Sequence, residues 1–336
     1  MDSLKSLHTF ALAADCSQVK TINSVDSLIR CLKAFKGDSC ANNYLVLGEG
    51  SNTVFVDDYP YLVLLNRIRG IELSENTKEY YMSVGAGENW HQLVKFCVEK
   101  NIGGFENLAL IPGTVGAAPI QNIGAYGVEI EQFIDKVEFL DTTTLSIHSL
   151  TKQECEFAYR DSVFKRQSLN SRIITRVFFR LPKQHQLTTN YGPLAKLLSP
   201  SISEIYKAVI NIRQSKLPNV NILGNAGSFF KNPLVTKAHF SSLQNKYSDM
   251  VSYPADKEHV KVPAAWLIDK LGFKGKQIGD IACHINQPLV LVNLGKGKGS
   301  DLLALAREIR NSVQKEFDIT LENEVRLMGN QGLIAL

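Results

Sequence analysis

IPGTVGAAPIQNIGAYG, residues 111–127, carries no charged side chain, and glycine, alanine and proline supply most of its 17 residues. Its only long side chains of polar type are Gln121 and Asn122. Neither a helical nor an alternating period runs through it. A loop so poor in charge is hard to keep at a protein surface. Beneath a flat, largely apolar ligand the same composition makes sense. Small residues leave room, backbone amides reach polar ring edges, and an amide pair orients the ligand.

Upstream lies LGEGSN, Leu47–Asn52, where a short apolar strand runs straight into a glycine turn. Glycine lets a backbone come close to a ligand, and successive N–H groups can nest phosphate oxygens. The turn is no Rossmann fingerprint, because GEGSNT lacks the third glycine and leads into the strand TVFV rather than a helix. A plain hairpin turn is the alternative reading of this stretch alone. Taken with residues 111–127, it points to a bound dinucleotide or flavin.

The rest of the chain sets the frame. Its 336 residues allow two or three domains. Hydrophobic content of 44% and charged content of 21% are those of a globular protein. A net charge of +4 suits acidic substrates such as nucleotides, and no dense Lys/Arg tract suggests nucleic acid. No apolar run reaches the roughly 18–20 residues of a membrane span, and TFALAA, followed at once by Asp15, is too short for a secretory signal core. Cys16, Cys31, Cys40, Cys97, Cys155 and Cys283 are scattered without a C-x-x-C pair, which reads as reduced cytosolic thiols. The seven histidines show no metal-ligand spacing, so no metal is expected.

Element signals alternate through the first two thirds. SVDSLIRCLKAFK predicts a helix with a serine cap, and YLVLLNRI and YYMSVGAG predict strands. ENWHQLVKFCVEKNI places Trp90, Leu93, Val94, Cys97 and Val98 on one helix face. DKVEFLD, SIHSL and RIITRVFFRL follow as strands. SISEIYKAVINIRQSKLP is an amphipathic helix closed by Pro218, which sets a boundary near residues 215–220. DLLALAREIRNSVQKEFDI is a strong helix with Ser300 as its cap, and TLENEVRLMG is a closing strand. Alternation along that strand puts Glu322, Glu324 and Arg326 on one face, either a wet surface or an inward polar cluster.

Two further stretches carry chemistry. AYRDSVFK packs Tyr159, Arg160, Asp161 and Lys165 into one turn. It is either a solvated ion-pair turn or a carboxylate clamp, since guanidinium binds carboxylate bidentately. NAGSFFKNP, residues 225–233, sets Ser228 between a glycine and two phenylalanines, with the nearest histidine, His239, 11 positions on. Without a base beside it, this serine is either a turn hydroxyl or an acid.

These stretches occur in one order: LGEGSN, IPGTVGAAPIQNIGAYG, YRDSVFK, NYGPL, RQSKLPN, GNAGSFFKNP, AAWLIDKLGFKG and LENEVRLMG. In that order they resemble the UDP-N-acetylenolpyruvoylglucosamine reductases over nearly the whole chain, and Tyr191 in NYGPL resembles the longer, type I subtype. The resemblance implies an α+β protein. It has an FAD-binding fold of the vanillyl-alcohol-oxidase/CO-dehydrogenase-flavoprotein (PCMH) type in two subdomains, plus a smaller α+β substrate-binding domain. The division expected is 1–66, then 67–217 joined by the C-terminal strand 318–336, then 218–317.

The resemblance also implies non-covalent FAD reduced by NADPH, and reduction of UDP-N-acetylglucosamine enolpyruvate to UDP-N-acetylmuramate for peptidoglycan. It assigns FAD contacts to Gly48, Gly50, Ser51, Asn52, Pro112, Gly113, Thr114, Gln121, Asn122, Gly124 and Arg326. Catalysis falls to Arg160, Ser228 and Glu324, and substrate contacts to Tyr159, Tyr191, Lys216, Asn232 and Gln287. Glu49 stands where many relatives have glycine. The expected protein is a cytoplasmic monomer with small-molecule partners, no nucleic acid and no membrane.

Hydride delivery to the vinyl carbon leaves negative charge alpha to a carboxylate, which cationic and hydrogen-bonding groups must stabilise. Arg160 can hold the carboxylate, Glu324 can help only in its protonated form, and Ser228 can give C2 its proton. Another non-covalent FAD oxidoreductase of the same fold and a catalytically silent flavin-binding protein are the alternatives. No histidine lies in LGEGSN or in residues 111–127, which argues against a covalent flavin.

Overall fold

A computed structural model of the chain describes residues 1–35, 44–166 and 171–336, so Lys36, Cys40 and Asn43 lie outside the described residues. Six α-helices occur among them: α1 (Val25–Phe35), α2 (Trp90–Glu99), α3 (Ile202–Lys216), α4 (Lys237–Lys246), α5 (Ala264–Lys270) and α6 (Gly299–Phe317). The serine before α1 is its cap, as expected. Ser27 N–H donates to Ser24 Oγ at 3.1 Å and Ser24 N–H to Ser27 Oγ at 3.0 Å, a reciprocal pair that satisfies end amides. Asn89 caps α2 through Gln92 N–H, and Trp90, Leu93, Val94 and Cys97 are buried with Val98 half-buried. The expected cap of α6 is corrected. Lys298 is the N-cap residue and Ser300 lies inside the helix. The start is set instead by close approach, since a Cβ on Gly299 would fall 1.8 Å from Val56 O.

By contacts the chain divides into two compact units. The first holds residues 1–16, 50–60 and 216–336, and the second residues 17–49 and 61–215. In the second, five antiparallel strands run in the order Ser146–Thr151, Ile134–Asp141, Arg172–Pro182, Glu79–Gly85 and Ile71–Glu75. Its core gathers Trp90, Phe105, Phe133 and Phe179 with the buried face of α2. Tyr44–Leu47 pairs in parallel with Tyr59–Asn66 from Leu62 to Leu65, and α1 covers that pair with Leu28 and Leu32. The parallel run carries LGEGSN out at a strand end.

In the first unit Gly224–Ser228 lies beside Val290–Asn293, itself beside Ile281–Cys283. The core under it joins Phe229, Phe230 and Phe317 with α5 and α6. The closing strand differs from the expectation. It begins only at Arg326, runs to Gly329, and is followed by a second short strand, Gly332–Ile334. Arg326–Gly329 pairs in parallel with Thr53–Phe55, a stretch assigned above to the first subdomain and not to the second. The physical reason is the backbone of Asn52, whose carbonyl takes Arg326 N–H at 3.0 Å. Among the described cysteines, Cys16, Cys97, Cys155 and Cys283 are buried, and burial pushes Cys97 up to about 12.

His8 also belongs to the first unit, edge-on to Phe55 at 5.4 Å and 3.2 Å from Leu12 O through Nε2. Burial, outweighing its backbone hydrogen bonds, lowers its pKa to about 4. The unfolded chain therefore binds this proton at higher pH than the folded one. Stability is lost as pH falls from the ordinary histidine value toward 4, by roughly 3 kcal/mol in full. Urea unfolding at pH 7 and near pH 4.5 is expected to show that loss, and His8→Gln is expected to flatten its share.

Candidate active site

In the second unit the strand Tyr44–Leu47 delivers Gly48 and Glu49. A Cβ on Gly48 would fall 2.5 Å from Thr114 Oγ1, so only glycine lets this turn meet the loop 111–127. The Glu49 carboxylate accepts from Gly113 N–H at 3.1 Å and from Asn89 Nδ2 at 2.6 Å, tying turn, loop and α2 cap together. Gly113 has φ +119, a backbone that L side chains rarely adopt. Gly124, where the loop nears Arg160, would place a Cβ 3.2 Å from Nη1. In the first unit Gly50 has φ +62, and a Cβ there would fall 2.1 Å from Leu7 O. Asn52 donates from Nδ2 to Glu324 O at 3.2 Å. Gly48, Gly50 and Gly124 each stand where their own unit's atoms leave a Cβ little room, and in the second unit the loop they join carries no charge.

Asn122 departs from its expected part. It is fully buried, with Nδ2 donating to Glu129 Oε2 (2.9 Å) and Ala158 O (3.2 Å) while Oδ1 accepts from Glu131 N–H (3.1 Å). A buried amide must satisfy its own donors and acceptor, so this one holds the loop instead of facing outward. Gln121 is half-buried and Pro112 exposed.

Arg160 sits at φ +54 in a turn closed by Ala158 and Asp161, which exchange two backbone hydrogen bonds at 3.1 Å. Its Nη2 donates to Gly124 O at 2.8 Å, and its guanidinium lies 5.5 Å from the Tyr159 ring centre. Lys165 Nζ donates to Arg160 O. Arg213, on α3, faces the same cluster. Burial above all, with Arg160 adding repulsion and Tyr126 opposing it, lowers its pKa. Its Nε is buried with no hydrogen-bond partner. Tyr126 in turn meets Tyr191 edge-on at 6.3 Å. The sequence reading quoted RQSKLPN without choosing Arg213. The signal was its spacing, four residues beyond Val209 and eight beyond Ile205, the buried pair of α3.

In the first unit Ser228 pairs with Val290 at the end of its strand. Thr9 holds that strand from below, its Oγ1 donating to Asn225 O at 2.6 Å. Phe229 N–H donates to Leu289 O at 2.7 Å, and Glu324 N–H donates to Phe229 O at 2.8 Å, so Glu324 is brought next to Ser228 along the backbone. Gly227 has φ +71, with open space where its Cβ would be. No hydrogen bond ties the Ser228 hydroxyl among the described residues. Asn232 Oδ1 accepts from Ala264 N–H at 2.9 Å, and Gln287 has a buried Oε1 without a partner. Lys216 is exposed at the end of α3. Glu322 is exposed and paired with Lys231 at 3.0 Å, whereas Glu324 and Arg326 are partly buried. The shared face is thus split, wet at one end and inward at the other.

A UDP-N-acetylenolpyruvoylglucosamine reductase from Pseudoalteromonas atlantica is 48% identical over all of this chain and 96% of its own. The same-named protein of Pectobacterium atrosepticum is 45% identical over 98% of this chain and 96% of its own. The chain belongs to the UDP-N-acetylenolpyruvoylglucosamine reductase family. Residues 218–328 match that family's C-terminal domain, and residues 17–147 match the FAD binding domain family. The crystal structure of UDP-N-acetylenolpyruvylglucosamine reductase (MurB) from Thermus caldophilus covers 96% of each chain with a TM-score of 0.64 at 25% identity. The FAD-binding α+β fold expected of the reductases is therefore the fold observed. No helix among the described residues of this reductase is long and apolar enough to cross a membrane.

Proposed function

We propose that this reductase acts as UDP-N-acetylmuramate dehydrogenase. It is an FAD-dependent enzyme of peptidoglycan precursor synthesis that takes UDP-N-acetylglucosamine enolpyruvate to UDP-N-acetylmuramate with NADPH as donor. It works as a cytoplasmic monomer on small molecules. The observation that carries the reading is Arg160 held to the uncharged loop 111–127, its Nη2 donating to Gly124 O at 2.8 Å. Arg213, a cation whose buried Nε has no hydrogen-bond partner, awaits an anion.

FAD would be held by the backbones and side chains of Gly48, Gly50, Ser51, Asn52, Pro112, Gly113, Thr114, Gln121, Gly124 and Arg326, with Asn122 fastening the loop from behind. When bound it supplies a hydride to the vinyl carbon. Arg160 and Arg213 bind the enolpyruvyl carboxylate and stabilise the charge that grows beside it. A neutral Glu324 adds a hydrogen bond. The Ser228 hydroxyl gives its proton to C2, which completes addition across the double bond. Tyr159, Tyr191, Lys216, Asn232 and Gln287 hold the sugar nucleotide, Lys216 as a cation for diphosphate and Gln287 as an acceptor already stripped of water. Residues 218–317 serve as the substrate-binding domain.

Mixing the yellow holoenzyme with NADPH is expected to bleach the visible flavin band, and UDP-N-acetylglucosamine enolpyruvate to restore it. Acid precipitation is expected to leave all colour in the supernatant. A band that NADPH bleaches but this substrate leaves bleached would assign the fold to another oxidoreductase.

A further inference from the structure

Glu106 and Asn107 stand just ahead of the loop 111–127, in the short 3-10 turn Glu106–Leu108, and are 1% and 0% exposed. Neither belongs to the proposed chemistry, yet burial of two polar side chains is costly unless each is bonded. Asn107 answers with one nitrogen that donates twice, to Tyr126 O and to Thr188 O, each at 2.9 Å. Tyr126 ends the loop 111–127. Thr188 belongs to residues 185–190, which form neither strand nor helix and lead into Tyr191. The amide thus joins the backbones that carry the two tyrosines.

The same stretch has a second contact, a close approach without a hydrogen bond. The His185 ring meets Phe133 edge-on at 5.5 Å, and its Nε2 lies 3.4 Å from Glu106 Oε1. Glu106 Oε2 accepts Gly104 N–H at 2.6 Å, which fixes the carboxylate. Gly127 allows the close packing, for a Cβ on it would fall 3.1 Å from Thr188 Cγ2 and 3.7 Å from Tyr191 Cβ. With no ladder of its own, the segment before Tyr191 takes its place from these contacts. Only a primary amide of this length offers two N–H groups on one nitrogen here: aspartate has none, and glutamine is a methylene too long.

We infer that Asn107 is a positioning residue for substrate binding. It sets the spacing of the Tyr126–Tyr191 pair. The inference rests on reading Tyr191 as a substrate contact.

The test uses the full FAD-loaded chain carrying Asn107→Asp, which keeps the shape and removes both donors. Reduced enzyme is mixed rapidly with UDP-N-acetylglucosamine enolpyruvate. The half-saturating concentration is expected to rise about tenfold, with the limiting rate within about twofold of the parent. Amide exchange over residues 185–192 is expected to quicken by about tenfold or more, with the substrate-free flavin spectrum unchanged. In a Tyr126→Ala/Tyr191→Ala background the same substitution is expected to shift half-saturation by less than about threefold, because the pair it positions is gone.

Parent-like half-saturation in Asn107→Asp would overturn the inference. So would an equal shift in both backgrounds, or a parallel fall in FAD content and limiting rate. If Asn107→Asp does not accumulate as holoenzyme, Glu106→Gln/His185→Phe removes the other contact; the same split supports the inference and parent-like behaviour sinks it. Tyr191→Ala alone separates the two readings, since parent-like half-saturation there would remove Tyr191 from the site.

Discussion

Ser228→Ala is expected to leave FAD content and NADPH-driven flavin reduction at parent values while slowing reoxidation by the enolpyruvyl substrate by about 10²–10⁴-fold, the usual worth of a positioned acid. The split follows from what the hydroxyl does. It ties no neighbour among the described residues, so its loss opens no unpaired group and costs little stability. Its strand is held by Asn225 and Val290, and Phe229 and Phe230 beyond it are buried with rings 5.0 Å apart, so an alanine keeps the backbone where it is. What disappears is the one proton it can give. A hydroxyl is a weak acid in water, yet the acceptor beside a carboxylate is a strong base, so no histidine is needed. Ser228→Cys, which restores a transferable proton, is expected to recover part of the rate. Single-turnover reoxidation monitored at the flavin band decides it, and a parent-rate Ser228→Ala would take the residue out of the mechanism.

Arg213→Met is expected to cost about 10²–10³ in kcat/KM, as loss of a preorganised charge-stabilising group does, without lowering the melting temperature. The two effects separate where Arg213 serves the ligand and not the fold. Burial and Arg160 already work against the charge on Arg213, and its Nε has no partner. Methionine fills similar volume and removes that strain. Arg160→Lys is expected to fall by a similar factor, because an ammonium cannot reproduce the planar fork. Steady-state kinetics with thermal melts of the same preparations check both halves. An Arg213→Met protein that melts well below the parent, with kcat/KM intact, would make Arg213 a structural residue.

Much of this was legible along the chain. The helices α1, α2, α3 and α6 follow apolar spacing, and Ser24 and Asn89 cap as local chemistry demands. The turn at Gly48–Gly50 was legible as a place of close backbone approach, because glycine is required where a Cβ has no room. Ser300 misled, since a serine near a helix start is a cap only when its backbone sits outside the helix, and the contact of Gly299 with Val56 moved that point. The run TLENEVRLMG reads as one strand, but it changes partner: Asn323 bridges Phe230 in antiparallel, and the strand proper begins at Arg326 beside Thr53.

The order of motifs, through the resemblance it carries, was enough for the family and the flavin, which the relatives and the FAD binding domain bear out. These are local facts, written in spacing and in residue type. The tertiary structure alone decided which way polar groups turn. Asn122 faces inward to Glu129, and Asn107 joins the backbones at Tyr126 and Thr188. Asn52 reaches Glu324 across 272 positions and Asn107 reaches Thr188 across 81. No periodicity spans such distances. A buried polar atom takes whichever partner the fold brings near, and that choice exists only once the chain has closed on itself.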